Sequence, residues 1–193
     1  IRTDESINEL MSKTVEQFGS LSILINATAG SAGKQFDELT AEDFDSANHM
    51  NITSSFLLAR AAANNMSNGG SIIMYTSMYG MIAPNPADYP DDLSPNPIEY
   101  GVGKAAIIQM VKYLAAHYAP DNIRVNAIYP GAFPWKNHHA SNAKLIENLS
   151  LKSMLGRVGR RDETVGTAVL PASAEASFIT GQVLVVDGGI TSW

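Results

Sequence analysis

Short apolar runs of strand length alternate with longer segments whose apolar residues recur at helical spacing, and this alternation constrains the fold more than any other feature. The predicted strands lie at residues 21–25, 71–76, 123–128 and 183–186. The predicted helices lie at residues 7–18, 40–66, 99–118 and from residue 162 onward. Strands and helices in strict alternation form βαβ units, so we expect an α/β fold: a doubly wound parallel sheet with helices on both faces.

Local signals refine these elements. Thr40 with Asp43 forms a variant of the capping box and opens the second helix. The proline-rich residues 84–97 are predicted to be a loop, and Pro171 should end or kink the last helix. The apolar run at 21–25 is predicted to be a strand that is buried on both faces.

Composition bounds the class of protein. A chain of 193 residues with 45% hydrophobic and 17% charged residues is typical of a globular protein, so we expect residues 1–193 to form a single domain. The net charge of −6 argues against nucleic acid or an anionic membrane as the main partner. The chain has no cysteine, which excludes disulfides, thiolate catalysis and cysteine-ligated zinc. With no membrane-length apolar run and no recognisable signal peptide, a cytoplasmic enzyme is expected.

Polar residues follow the predicted strands at the sheet edge where ligands bind in such folds. Ser77 follows the second strand, and Tyr100 and Lys104 lie one turn apart near the start of the next helix. An ammonium beside a phenol favours the phenolate, which predicts a tyrosine that exchanges protons at physiological pH. Gly101 and Gly103 are expected to clear space for a flat ring to approach the helix backbone.

Six motifs in chain order resemble those of the short-chain dehydrogenase/reductase family. They lie at residues 24–30, 50–53, 76–80, 100–104, 124–131 and 178–182 with 186–189. The first resembles the family's Asn-Asn-Ala-Gly segment, with alanine in place of the second asparagine. The resemblance covers essentially the whole chain and implies a Rossmann-like fold and an oxidoreductase that interconverts a carbonyl and a secondary alcohol with NAD or NADP.

The resemblance also implies roles for four catalytic residues. Tyr100 would be the general acid/base, and Ser77 would hold and polarise the substrate oxygen. Lys104 would lower the pKa of the tyrosine and bind the nicotinamide ribose, and Asn51 would help to hold a water that relays protons to the lysine. The small-molecule substrate would be a carbonyl compound or an alcohol.

The cofactor and substrate positions follow from the same motifs. The implied cofactor-binding residues are Asn26, Ala27, Gly30, Tyr100, Lys104, Pro130, Gly131 and Phe133. The residues predicted to form a substrate wall are Met78, Tyr79, Met81 and Trp135, because they flank the expected catalytic oxygen and such walls are mostly apolar and aromatic.

The chain departs from the family pattern in three places. It lacks the N-terminal glycine-rich turn that holds the cofactor pyrophosphate, so we expect the first three strands of the family fold to be missing and the sequence to be an incomplete record of a longer chain. Without the second strand, NAD and NADP are not distinguished. Ser77 and Tyr100 are 23 positions apart, about ten more than the family spacing, and the extra residues in 84–97 are expected to be a tolerated surface insertion. No threonine closely follows Pro130 and Gly131, which leaves the carboxamide contact in question.

Two other functions stay open: a non-catalytic binding or assembly subunit, and a sugar epimerase or dehydratase with the same Ser-Tyr-Lys centre. The family usually forms homodimers or homotetramers, and helices 40–66 and 99–118 are apolar over more of their surface than one sheet requires. The alternative is that loop 84–97 covers that surface within a monomer. His138 and His139 are not expected to bind a metal, and the arginines at 157, 160 and 161 are expected to form a solvated face.

Overall fold

The computed structural model describes residues 1–134 and 142–193 and contains a four-stranded parallel sheet. The strands are β1 (Ile23–Asn26), β2 (Gly70–Tyr75), β3 (Ile123–Pro130) and β4 (Val183–Val186). They lie in the order β1-β2-β3-β4, and every neighbouring pair is parallel. The predicted class of fold is therefore confirmed, and the last strand has the predicted bounds.

Six α-helices connect and cover the strands in the described residues. They are α1 (Asp4–Phe18), α2 (Ala41–Asn48), α3 (Ser54–Ala63), α4 (Ile98–Tyr118), α5 (Ala143–Lys152) and α6 (Val165–Ala172). Thr40 caps α2 with the predicted capping box, and Pro171 lies in the last turn of α6, where that helix ends. The sequence analysis did not predict α5, although Asn142 caps its first turn.

The helix predicted at 40–66 is divided in the structure. A π-helical turn, His49–Thr53, joins α2 to α3, and α3 ends at Ala63 because a turn follows it. A π turn inserts one extra residue into a helical turn and often marks a functional site. Here it carries Asn51, one of the predicted catalytic residues.

Helices cover the sheet on both faces. On one face, α3 and α4 pack on the strands and α1 packs on α3, around a core that includes Leu58, Ile72, Ile107 and Val125. On the opposite face, α6 packs on β2 and β3, and the buried hydroxyl of Ser71 donates a 2.6 Å hydrogen bond to the carbonyl of Pro171. The two-sided cover explains why β2 and β3 are almost continuously buried.

The prediction that the first strand is buried on both faces is wrong. Leu24 packs against the core, but Ile23 and Ile25, which point to the other face, are 43% and 48% exposed. The reason is the position of α6, which covers β2 and β3 but has no comparable packing on β1 in the described residues.

The parallel arrangement brings the carboxyl ends of β1, β2 and β3 to one edge of the sheet. Asn26 ends β1, Ser77 follows β2 by two residues, and Pro130 ends β3. Helix α4 packs along β3 and contacts the turn that follows Ser77, so its first two turns lie at the same edge. None of the described helices is both long and apolar enough to cross a membrane.

Candidate active site

The four predicted catalytic residues come from three elements at this edge. Asn51 lies in the π turn, Ser77 follows β2, and Tyr100 and Lys104 lie in the first two turns of α4. Asn51, Ser77 and Lys104 are buried, with 1%, 8% and 3% exposure, and Tyr100 is half-buried. The structure therefore encloses all four of them within the protein.

The Lys104 ammonium connects two strand ends. It donates hydrogen bonds to the Tyr75 carbonyl at 2.9 Å and to the Thr28 carbonyl at 3.2 Å. The Thr76 hydroxyl donates in turn to the Lys104 backbone carbonyl at 2.6 Å. An ammonium has three N–H donors, and these two bonds leave one for a ligand. The lysine thus serves both as a structural tie and as a binding group.

Burial shifts the pKa values of the lysine and the tyrosine in opposite directions. It lowers the pKa of the Lys104 ammonium to about 8 and raises the pKa of the Tyr100 phenol, although the neighbouring Ser77 hydroxyl acts to lower the latter. The expectation that Lys104 lowers the pKa of Tyr100 is not met, because burial raises that pKa and only Ser77 acts to lower it. The ammonium lies 5.7 Å from the centroid of the Tyr100 ring and is bonded to backbone carbonyls.

The side chain of Asn51 is bonded to Gly30 in the segment after β1. Its Oδ1 accepts from the Gly30 N–H at 2.8 Å, and its Nδ2 donates to the Gly30 carbonyl at 2.8 Å. The paired bonds hold that segment against the π turn as a neighbouring strand would. One N–H of the amide remains for the water that the family resemblance implies.

The glycines near Tyr100 serve close packing of protein groups. A Cβ at Gly103 would lie 2.6 Å from the Cβ of Asn51, and a Cβ at Gly101 would lie 2.9 Å from the Tyr79 carbonyl oxygen. The expectation that they clear space for a flat ring is therefore wrong, because Asn51 and the backbone of Tyr79 fill that space.

Sequence reasoning missed Glu99, which directly precedes Tyr100. Its side chain is fully buried, and Oε1 accepts from the Ser31 hydroxyl and the Ala32 N–H, both at 3.0 Å. It fixes the segment after β1 at Ser31 and Ala32, next to Gly30, which Asn51 holds. The only signal in the sequence was an acidic residue in the first turn of a helix. The helix dipole stabilises an acidic side chain there in any helix, so this signal does not indicate a functional site.

One cavity of about 400 Å³ adjoins Lys104 and fits the predicted cofactor positions. The predicted residues that line it are Ala27, Tyr100, Lys104, Pro130, Gly131 and Phe133. Small residues at 27 and 131 leave room for a ring, and the remaining N–H of Lys104 suits a ribose hydroxyl. These residues fit the nicotinamide end of NAD or NADP.

Two predicted cofactor residues lie elsewhere. Asn26 is buried and uses its amide to bond the Ser55 and Thr28 side chains, so it shapes the turn after β1 and does not line this cavity. Gly30 lines the adjoining cavity instead. Sequence reasoning also missed Thr164, which lines the cofactor cavity although no threonine closely follows Gly131.

A second cavity of about 460 Å³ shares Ser77 and Tyr100 with the first. Met78 and Tyr79, two of the residues predicted to form a substrate wall, line this cavity, but Met81 is 63% exposed and lines a neighbouring groove. Trp135 lies outside the described residues. Tyr89 and Asn96, from the loop at 84–97, also line the cavity. None of the residues of this insertion is fully buried, so it is a surface loop as expected, and it also reaches the cavity.

The remaining candidates have ordinary partners or are not described. Arg157 forms a bidentate ion pair with Glu163 at 2.7 and 2.8 Å, and Arg160 lies 3.2 Å from the same carboxylate. Arg161 lines the cofactor cavity, where the sequence analysis had expected a solvated face. The described residues contain no cluster of potential metal ligands, and His138 and His139 lie outside them.

Comparison with known proteins gives consistent matches over nearly the whole chain. A family model described as enoyl-(acyl carrier protein) reductase matches residues 1–191. Glucose 1-dehydrogenase 2 of Bacillus subtilis is 30% identical, and the match covers 99% of this chain and 72% of that protein.

Solved structures of dehydrogenases also match the fold of this chain. A gluconate 5-dehydrogenase from Burkholderia cenocepacia, in complex with NADP and tartrate, is 26% identical with a TM-score of 0.87, over 100% of this chain and 73% of that one. A short-chain dehydrogenase from Leptospira borgpetersenii with bound NAD⁺ is 31% identical with a TM-score of 0.86, over 98% of this chain and 72% of that one.

The close approach of Gly103 to Asn51 predicts that Gly103→Ala destabilises the protein by about 1–3 kcal/mol, because the added methyl group must displace Asn51. The control is Gly166→Ala in α6, where a Cβ meets nothing within 4 Å. That change should stabilise the protein by about 0.5–1 kcal/mol, since alanine loses less backbone entropy. Urea unfolding measures both, and equal stability of the two variants would contradict the packing argument.

The lowered pKa of Lys104 predicts a pH-dependent contribution to stability. Between about pH 8 and pH 10 the unfolded chain holds the lysine proton and the folded chain does not, so the free energy of unfolding rises with pH. The free energy of unfolding of the wild type minus that of Lys104→Met should therefore increase by up to about 1.4 kcal/mol per pH unit in this window. Exposed Lys112→Met is the control. If the difference in the free energy of unfolding between wild type and Lys104→Met does not change with pH, the lowered pKa of Lys104 is refuted.

Proposed function

Since the chain belongs to the short-chain dehydrogenase/reductase family, it is an NAD(P)-dependent oxidoreductase, and we propose that it interconverts a carbonyl and a secondary alcohol with Tyr100 as the general acid/base. The observation that carries this proposal is the position of Ser77 and Tyr100. Both line the cavity that fits the nicotinamide and the adjoining cavity that is open to a substrate. Their hydroxyls therefore lie where the two reactants would meet.

In the reductive direction the chain's own residues handle the carbonyl oxygen. Ser77 donates a hydrogen bond to that oxygen and polarises the carbonyl. Tyr100 donates its proton to the same oxygen as negative charge develops there. Burial raises the pKa of Tyr100, which keeps the phenol protonated and ready as an acid at neutral pH. When bound in the cavity beside Lys104, reduced NAD or NADP would supply the hydride that the carbonyl carbon receives.

Lys104 can replace the proton that Tyr100 donates. Burial lowers its pKa to about 8, so near neutral pH the ammonium gives up a proton far more readily than an ordinary lysine does. It can thus return a proton towards Tyr100, and its third N–H would hold a ribose hydroxyl of the cofactor. In the oxidative direction the same groups accept the proton from the alcohol.

The test is Tyr100→Phe, which keeps the ring and removes the exchangeable proton. We expect turnover to fall by about 100- to 10,000-fold, while the circular dichroism spectrum stays unchanged. Tyr113→Phe is the matched control, because Tyr113 lies on the same helix and is 69% exposed. Near-normal turnover of Tyr100→Phe would overturn the assignment.

We also propose that the protein is a homodimer or homotetramer that associates through α4. Ile98, Val102 and Tyr113 lie along one face of this helix and are 46%, 43% and 69% exposed. Loop 84–97 leaves them uncovered and is bonded to α5 instead. An exposed apolar stripe on a long helix is suited to a second copy.

Sedimentation velocity at micromolar concentration should show a dimer or tetramer, and Val102→Glu should shift it to the monomer because it places a charge in the proposed interface. The exposed Lys112→Glu is a control on the same helix. A monomeric wild type would count against the proposal and would favour a stripe that stays in contact with solvent.

A further inference from the structure

The loop at 84–97 is fixed over the catalytic edge by contacts with α5. The Asn148 side chain donates a 2.9 Å hydrogen bond to the Asp88 carbonyl, and the Lys152 ammonium lies 2.6 Å from the Asp88 carboxylate. That carboxylate is mostly buried, with the side chain 13% exposed. These contacts hold the next residue, Tyr89, in the wall of the substrate cavity.

Tyr89 meets a second tyrosine there. The Tyr89 hydroxyl oxygen lies 2.6 Å from the Tyr79 hydroxyl oxygen. The side-chain amide of Asn96 donates to the Tyr89 oxygen at 3.5 Å. All three side chains line the cavity that Ser77 and Tyr100 share. The loop and the turn after β2 thus build one polar cluster opposite mostly apolar residues such as Leu145 and Leu149.

A count of protons shows what this cluster can bind. Two hydroxyl groups bring two protons, and the bond between Tyr79 and Tyr89 uses one of them. The other has no acceptor among the described residues. Burial raises the pKa of Tyr79 well above its ordinary value, so this phenol stays protonated. The cluster therefore presents one O–H donor and free oxygen lone pairs, which together match a hydroxyl group.

The described part of this wall carries no charge. None of the described residues that line the substrate cavity is Asp, Glu, Lys, Arg or His. A carboxylate or a phosphate held at Tyr79 and Tyr89 would lose its hydration and meet no cation among the described lining residues, which is unfavourable. A neutral hydroxyl would lose little and could both donate to and accept from the tyrosine pair.

We infer that the substrate is an uncharged carbonyl compound or alcohol with a second oxygen, and that Tyr79, Tyr89 and Asn96 recognise this oxygen as a hydroxyl group. The inference rests on the proposed function for the position of the reacting carbon, between Ser77 and Tyr100. It adds a specificity-determining role for the inserted loop, which reaches the part of the substrate that does not react.

The test uses the full-length enzyme and a matched set of ring compounds: cyclohexanol, the 1,2-, 1,3- and 1,4-cyclohexanediols, and 3-hydroxycyclohexanecarboxylate. We expect kcat/KM for the best diol to exceed that for cyclohexanol by about tenfold, as one additional hydrogen bond in a partly dry site allows. The carboxylate should fall at least about tenfold below cyclohexanol. Tyr89→Phe should lower kcat/KM for the diol several-fold more than it lowers kcat/KM for cyclohexanol and so remove most of the preference for the diol, whereas Tyr113→Phe should change neither value.

Binding measured by titration calorimetry separates this inference from the proposed reaction. If the wild type binds the diol more tightly than cyclohexanol and Tyr89→Phe removes that difference, the inference stands even where no compound is oxidised, and only the proposed reaction fails. Equal losses for diol and cyclohexanol in Tyr89→Phe would show a structural role and overturn it. Binding of the carboxylate as tight as that of the diol would overturn it as well.

Discussion

The arrangement of the site depends on the hydrogen bonds of the Lys104 ammonium to the carbonyls of Thr28 and Tyr75. These two carbonyls belong to the segments that leave β1 and β2, and the lysine itself belongs to α4. One side chain therefore sets the distance between two strand ends and the helix that carries Tyr100. The bonds also explain why a buried ammonium is tolerated, since an unpaired one would be strongly destabilising. The same burial that demands these partners lowers the pKa of the lysine to about 8.

Much of the fold follows from sequence patterns, because short-range signals determine it. Apolar runs bounded by glycine and proline located β2 to β4 within a few residues, and the spacing of Tyr100 and Lys104 placed them on one helical face. The π turn at Asn51 and helix α5 were not predicted. A π turn shifts the helix by one residue without any signal in residue type, and α5 is short, so its ends depend on packing against the loop at 84–97.

The residues of the candidate site follow from motif spacing, whereas their contacts do not. Motif spacing predicts Ser77, Tyr100 and Lys104 as site residues, and the structure brings them to one cavity. The carbonyls that the lysine binds were not predicted, because backbone acceptors carry no sequence signature. The role of Glu99 could not be predicted for a related reason. Its partners Ser31 and Ala32 are 68 and 67 residues away in the sequence, and only the fold brings them next to Glu99. Sequence assigned the lysine a direct effect on the tyrosine, whereas burial dominates the pKa of both groups.

The two cavities differ in what fixes their walls. The cofactor side is built from strand ends, from Lys104 and from residues such as Gly131, where a Cβ would lie 2.6 Å from the Cα of Asp187, so little there can change without moving the sheet. The substrate side takes Tyr89 and Asn96 from a loop whose length costs little free energy, because closure entropy grows slowly with loop length. Only Ser77, Tyr100 and a few neighbours belong to both. It follows that the loop can vary in sequence and length, and that such variation changes the shape of the second cavity. The bonds of Lys104 and the position of Tyr100 stay the same. A fold of this kind can keep one hydride-transfer chemistry and change what it acts on by altering residues that never touch the sheet.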